Sequence, residues 1–324
     1  MPFLKTTLAA AALALLMPLP GTAQTAWPEK PVNIVVPFPP GGATDVMARM
    51  LAPKIEQTIG QTVVIQNKAG AGGSVGTQSV ARSENDGYTF LWGTVATHGI
   101  GPSVYKKLPY DPAKDFAPVV HVVNQPYVLV VHPSTGVGTL KEFIEKAQAN
   151  PGSVSVASAG QGTGAHMILE KFQSEVDADF LNVPYKGAGP AMTDLVGGQV
   201  QAAFDVILTT VPFIESKRVV PLAVTSDTRS PTLPDVPTLA ESGLKGFAAV
   251  GWNGLFAPAG TPQAIIDKMN QAVNAALADP QIKERILKDG SIPKGGTPQQ
   301  FTSFVADELA NWSQVARKAG VSLD

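Results

Sequence analysis

Gly72, Ser74 and Gly76 repeat the Gly-x-Ser-x-Gly spacing of a hydrolase nucleophile, histidines stand at positions 98, 121, 132 and 166, and Asp205 closes the apolar run QAAFDV. Each asks for different chemistry. A nucleophile elbow needs a strand running straight into the serine, with His and acid partners to follow. NKAGA precedes Gly72 and reads as loop, and no such partners follow in the expected arrangement, so a secreted hydrolase using Ser74 is the secondary reading. The histidines have no zinc-type spacing with one another or with carboxylates. His121 and His132 fall in alternating strands and read as packing residues; His98 and His166 follow small-residue loops, where a ligand contact and a structural hydrogen bond are both open. An acid at Asp205 must order water, cap a helix or meet a donor on a ligand.

Glycine turns carry the clearest signal. NIVVPFPPGGATDVMARMLAPKI, Asn33 to Ile55, reads as a buried strand, a Pro/Gly turn and an amphipathic helix opening at Gly41, Gly42 and Thr44. Glycine lets the backbone approach a ligand, and the first N–H groups of a helix lack internal partners and carry the positive end of its dipole. Such a turn cradles an anion. VSVASAGQGTGAHMILEKF, Val154 to Phe172, repeats the arrangement, and two cradles on one chain imply a clamp. Gly160, Gly162 and Ala165 also fit a relaxed dinucleotide pattern, but the acid that should end the next strand is missing: Asp177 and Asp179 precede FLNVPY. There is no Walker pattern. Asp45, early in its helix, is well placed against the dipole.

The elements that must position these turns follow from periodicity. TVVIQN and YTFLWGT alternate as strands around a glycine loop and a helix, giving the strand–helix order of a parallel α/β sheet whose ligands lie beyond the strands' carboxyl ends. The loop from Thr94 to His98 shares that edge with Pro39 to Thr44. VVHVVNQPYVLVVHPS is long enough to cross between lobes, and AAVGWNGLFAPAG is the natural return. The expected division is residues 24–125 and 250–324 in one domain and 126–249 in the other. The last helices carry apolar stripes, Phe301, Val305, Leu309 and Trp312 among them, that pack most simply on the first lobe.

The bulk numbers narrow the class. At 324 residues, with 44% hydrophobic and 15% charged, the chain can bury two cores. Its formal charge of −2 and lack of a basic run argue against nucleic acid. Residues 1–23 read as a cleaved signal peptide: Lys5, a short apolar stretch broken by Pro18 and Pro20, then small residues up to Ala23. The chain has no cysteine, hence no lipidated N-terminus, thiol nucleophile or Cys-ligated metal, and the periplasm is the expected compartment.

Taken in order, WPEKPVNIVVPFPPGGATD, NKAGAGGSVG, DGYTFLWGT, KKLPYDPAKDFAPV, VPYKGAGPAMTDLVGGQV, LAVTSDTRSPTLPDVPTLAESG and GLFAPAGTP resemble the tripartite tricarboxylate transporter receptors, or Bug proteins, over nearly all of the mature chain. The resemblance implies a type II periplasmic binding protein: two α/β lobes joined by crossing strands. It implies a non-catalytic receptor without a cofactor, acting as a monomer, that closes on a small organic carboxylate and delivers it to membrane permease subunits. The family's ligand loops fall on Phe38, Pro39, Gly41, Gly42, Ala43 and Thr44, and on Ser158, Ala159, Gly162, Thr163, Gly164, Ala165 and His166. Thr94 joins them from the sheet edge, and the family's aspartate facing the distal part of the ligand matches Asp205. The family holds a carboxylate with main-chain amides, hydroxyls and waters, in keeping with two Gly-rich loops that contain no Arg or Lys. Phe38, Trp92 and Tyr185 are placed to floor an aromatic ring, and a dicarboxylate is the expected ligand.

Overall fold

Apolar runs bounded by Gly and Pro form the strands, and stripes of period 3.6 form the helices that cover them. The computed structural model describes residues 27–323. The signal peptide expected over residues 1–23 lies outside the described residues. The first lobe opens with β1 (Val32–Val36), α1 (Ala43–Ile59), β2 (Val63–Asn67), α2 (Ser74–Ala81), β3 (Thr89–Thr94) and the short α3 (Gly101–Val104). β2 and β3 pair in parallel on either side of β1, which sets Ile34 opposite both Ile65 and Phe90. In α1 the spacing of Met47, Leu51 and Ile55 buries one face, and Gly60 ends the helix in the left-handed region at φ 79°. Truncating a side chain such as Leu51 to Ala costs about 2–5 kcal/mol.

The long β4 (Phe116–Val131) then leads into α4 (Leu140–Ala149), β5 (Ser155–Ser158), α5 (Gly164–Val176), β6 (Leu181–Pro184), α6 (Ala188–Val196), β7 (Ala202–Val206), α7 (Ile207–Glu215) and β8 (Val220–Val224). The chain returns through β9 (Val250–Pro258) to α8 (Gln263–Ala278), α9 (Pro280–Lys288), β10 (Ile292–Pro293) and α10 (Pro298–Ala319). The strands run β2-β1-β3-β9-β4-β7-β5-β6, with β10 and β8 also on β4. β4 changes partners partway: it pairs with β9 as far as Pro126 opposite Val250, then with β7 from Tyr127 opposite Val206. Two crossing strands thus join two α/β halves, the mixed architecture the sequence implies.

The last helices pack on the first lobe as expected, but α10 does not pack on it alone. α8 packs on α1 in the first lobe, but α10 packs on β4 and α3 and also on α5 of the second lobe. The buried stripe of α10 runs on through Ala316, and Phe301, Trp312, Phe172 and Phe204 share one core cluster. A stripe that long has enough apolar area to serve both lobes. Among the described residues no helix is long and apolar enough to cross a membrane.

Candidate functional site

The first glycine turn is fixed by its own helix. Asp45, in the first turn of α1, reaches back so that Oδ2 accepts the Gly41 N–H at 2.9 Å, while Oδ1 accepts from Arg49 Nε and Asn67 Nδ2, each at 2.9 Å. Burial alone pushes the Asp45 carboxyl up, yet the bonds from Arg49, Gly41 and Asn67 hold it below the usual carboxylate range. The Gly41 amide is therefore spent inside the turn. Gly42, the N-cap, offers no side chain, and the amides that open α1 at Ala43 and Thr44 stay uncapped.

The second turn is held by His166 of α5. Its Nδ1 accepts the Gly162 N–H at 3.1 Å, and its Nε2 lies 3.3 Å from Glu170 Oε1. Accepting at Nδ1 places the imidazole proton on Nε2, facing the carboxylate. Thr163 Oγ1 donates to the Gly160 carbonyl at 2.7 Å, so this N-cap residue ties its own loop and does not cap α5.

Between the turns lies a cleft of about 350 Å³. Residues 38–44 line it from the first lobe, together with Thr94. From the second come Ala159, Thr163, Gly164 and Ala165, the residues from Lys186 to Pro190 that lead into and open α6, and Asp205 with Val206. The crossing strands supply Gln125, Tyr127, Gly251, Trp252 and Asn253. α1, α5, α6 and α7 all start here without a side-chain cap, whereas α4, α9 and α10 are capped by Thr139, Asp279 and Thr297. α2 and α8 also start uncapped elsewhere, so what marks the cleft is the convergence of such ends.

Its polar side chains are mostly neutral donors. Thr94 Oγ1 and Gln125 Nε2 are buried and have no hydrogen-bond partner among the described residues. Asn253 Oδ1 accepts the Trp92 indole N–H at 3.1 Å; because an indole only donates, the amide Nδ2 is left to donate elsewhere. Burial raises the Tyr127 hydroxyl further above its already high range, with the nearby Asp205 charge adding to the shift, so it stays protonated. Asp205 is the exception. Burial pushes its carboxyl up to about 6, although Thr209 Oγ1 and the Val206 N–H, each at 2.9 Å, pull the other way. Lys186, exposed, is the cationic residue among those lining the cleft.

Most of the expected ligand residues line this cleft, but Ser158, Gly162 and His166 do not. Gly162 and His166 brace the turn from behind, and Ser158 Oγ is buried without a partner at the end of β5. Of the aromatics expected to floor a ring, only Phe38 lines the cleft. Trp92 is fully buried in the first-lobe core, and Tyr185 donates its hydroxyl to Asp194 at 2.8 Å. His98 is structural: it stacks on Phe256 at 3.9 Å, and burial lowers its pKa to about 3. Ser74 sits in ordinary right-handed helical geometry after a 3₁₀ turn, not at the end of β2, so no strained elbow presents it. Among the described residues no group of three or more His, Asp or Glu is placed to hold a metal.

Sequence reasoning missed Gln125, Tyr127, Lys186, Trp252 and Asn253. One signal was available. Gln and Asn interrupt otherwise apolar crossing strands, and a polar side chain buried in a strand demands a partner.

The model of the tripartite tricarboxylate transporter family receptor matches residues 47–321. BugT of Bordetella pertussis is 40% identical over 298 residues, 92% of this chain and 91% of its own. The solved periplasmic binding protein BugD is 40% identical with a TM-score of 0.87, covering 91% of this chain and 99% of that one. Rpa4515 of R. palustris, solved with adipate, is 35% identical with a TM-score of 0.89 over 91% of this chain and 99% of its own. MatC of Rhodopseudomonas palustris, solved with bound malate, is 35% identical with a TM-score of 0.85 over 89% and 99%.

Proposed function

The chain belongs to the tripartite tricarboxylate transporter receptor family, and from that premise we propose that it is a non-catalytic periplasmic receptor for a small dicarboxylate. The observation that carries the reading is the cleft itself, where uncapped helix N-termini and unpartnered neutral donors converge. That is a site for an anion held without a cationic clamp. Each charge-assisted hydrogen bond contributes about 1.5–3 kcal/mol, so four at the upper end of that range approach micromolar affinity after the smaller association costs. One carboxylate lies against the amides of α1 and α5 with Thr94, and the far end of the ligand meets Asp205. Adipate and malate, found in two relatives, are both aliphatic dicarboxylates. With Trp92 and Tyr185 turned away from the cleft, an aliphatic chain is favoured over an aromatic ring.

The leader over residues 1–23 exports the chain, which works as a monomer. Residues 24–125 and 250–324 form one domain and 126–249 the other, hinged where β4 changes partners. The liganded protein then docks on membrane permease subunits. Calorimetry and thermal shift against malate, succinate, adipate and terephthalate, with mass spectrometry of the recovered solute, test the reading. Micromolar binding of an aliphatic dicarboxylate, recovered unchanged, is expected. Conversion that stops in Ser74→Ala, or binding of neutral solutes alone, overturns it.

A further inference from the structure

Tyr105, just after α3, reaches from the first lobe to the second, where its hydroxyl donates to the main-chain carbonyl of Gln161 at 3.1 Å. None of this lines the cleft. Two glycines at positive φ make the approach possible. A β-carbon on Gly162 (φ +72°) would lie 2.8 Å from Tyr105 Oη and 3.0 Å from its ring, and one on Gly72 (φ +62°) would run into the same hydroxyl and lie 3.2 Å from the Gln161 carbonyl. The glycine loop around Ser74, which carries no elbow chemistry, is thus shaped to receive a tyrosine and a carbonyl from the opposite lobe.

The seat is tied to both ligand turns. A β-carbon on Gly73 would lie 3.2 Å from the Phe38 ring, and Phe38 lines the cleft. On the other side, Gln161 precedes Gly162, whose N–H is pinned by His166. We propose that Tyr105, seated against Gly72 and Gly162, is an interlobe latch: a positioning residue that holds the second ligand turn against the first lobe without touching the ligand. A contact made only when the lobes meet shifts the closed-to-open ratio by its full worth, whether or not a ligand is present. It acts on how long the cleft stays shut and not on how it is first reached.

The full mature chain tests this directly. It has no native cysteine, so cysteines placed at the exposed Gln57 and Glu145, one on each lobe, can carry a spin-label pair. Pulsed electron resonance then gives the interlobe distance distribution for the parent chain and Tyr105→Phe, alone and with adipate or malate. Phe keeps the ring and removes one bond. The closed population should fall several-fold in the variant and dissociation of the dicarboxylate should speed up several-fold, with association and the melting temperature of the ligand-free chain unchanged. Gly72→Ala should open the parent chain more than it opens the Tyr105→Phe background, where the hydroxyl it would strike is gone and the Gln161 carbonyl and the ring remain. Identical distributions in the two chains under both conditions, wholly open or wholly closed included, overturn the latch. A Tyr105-dependent closed population in a chain that answers to neither acid keeps the latch and sinks the ligand class.

Discussion

The two ligand turns solve one backbone problem with different acceptors, a carboxylate in the first lobe and an imidazole in the second. In the first lobe the Gly41 N–H is held by Asp45, which is held by Arg49, each step at i,i+4 spacing. In the second, the Gly162 N–H is held by His166, which faces Glu170, again at i,i+4. An acid in the first turn of a helix suits the dipole, and Asp45 also takes a bond from Asn67 at the end of β2. Among the described residues His166 takes no bond from a neighbouring strand, and its contacts of 3.1 and 3.3 Å are longer. The brace of the first cradle is therefore anchored to its sheet, while the side-chain brace of the second stays within its own helix, the turn being tied besides by the Gly187 N–H to the Ala159 carbonyl and by Tyr105 from the other lobe. A receptor that closes needs one fixed jaw and one that can be positioned.

Breaking the anchored side should cost most. Asp45→Ala leaves the Gly41 amide without its acceptor and takes one bond each from Arg49 and Asn67, which keep their bonds to one another and to the Phe38 carbonyl, and a loss of about 3 kcal/mol with no measurable dicarboxylate binding is expected by denaturant titration and calorimetry. Asp45→Asn keeps an acceptor and should recover part of both. His166→Ala removes one neutral acceptor, for about 1 kcal/mol of stability and roughly tenfold in affinity, with partial recovery in His166→Gln. Equal destabilisation by the two alanine variants would erase the distinction between the turns.

How far the sequence showed this asymmetry follows from what periodicity can report. Both turns were readable because Gly and Pro interrupt a buried strand just before an amphipathic helix, and β4 stood out as a run too long for one lobe. The braces were half readable: Asp45 was expected to favour the dipole, but its bond to Asn67 depends on β2 lying beside β1, which only tertiary pairing sets. Gln125 and Asn253 stayed hidden for a related reason. Alternation places their side chains on a face, but whether that face meets a core or a cleft is decided by where β4 changes partners. Trp92 and Tyr185 failed in the other direction: aromatics near a sheet edge found an amide and a carboxylate within their own lobes.

The lobes differ inside the cleft as well, because the second contributes an acid. Burial raises the Asp205 carboxyl from 3.8 to about 6, so between those values the folded chain holds a proton that the unfolded chain has released. The stability this contributes is complete below about pH 4 and is lost as pH rises through about 6. Asp205→Asn should therefore be the more stable protein at pH 7.5, with the advantage gone by about pH 4, as thermal melts across pH will show. A dicarboxylate whose far end faces Asp205 should bind several-fold more tightly at pH 5.5 than at 7.5. Comparison with Asp205→Asn cancels the ligand's own titration, and equal slopes in the two proteins would remove Asp205 from the far end of the ligand.

The finest test uses two buried hydroxyls without partners, Thr94 in the first lobe and Ser158 in the second. Thr94 is held through its backbone, its N–H donating to Thr97 Oγ1 at 3.0 Å, so its own hydroxyl contributes nothing to the fold. Thr94→Val replaces an unsatisfied polar atom by a methyl of similar size, and stability should hold or rise by up to about 1 kcal/mol. Affinity for the dicarboxylate should nevertheless fall about fivefold, because Thr94 is among the residues lining the cleft and its hydroxyl has no partner in the fold to keep it from an anion. Ser158→Ala should be as harmless to the fold and leave affinity unchanged, since Ser158 is set back from the cleft. Stability gained with affinity lost is the mark of a group kept for binding. If calorimetry gave that pattern for Ser158 and not for Thr94, the carboxylate would have to be moved from the anchored turn to the positioned one.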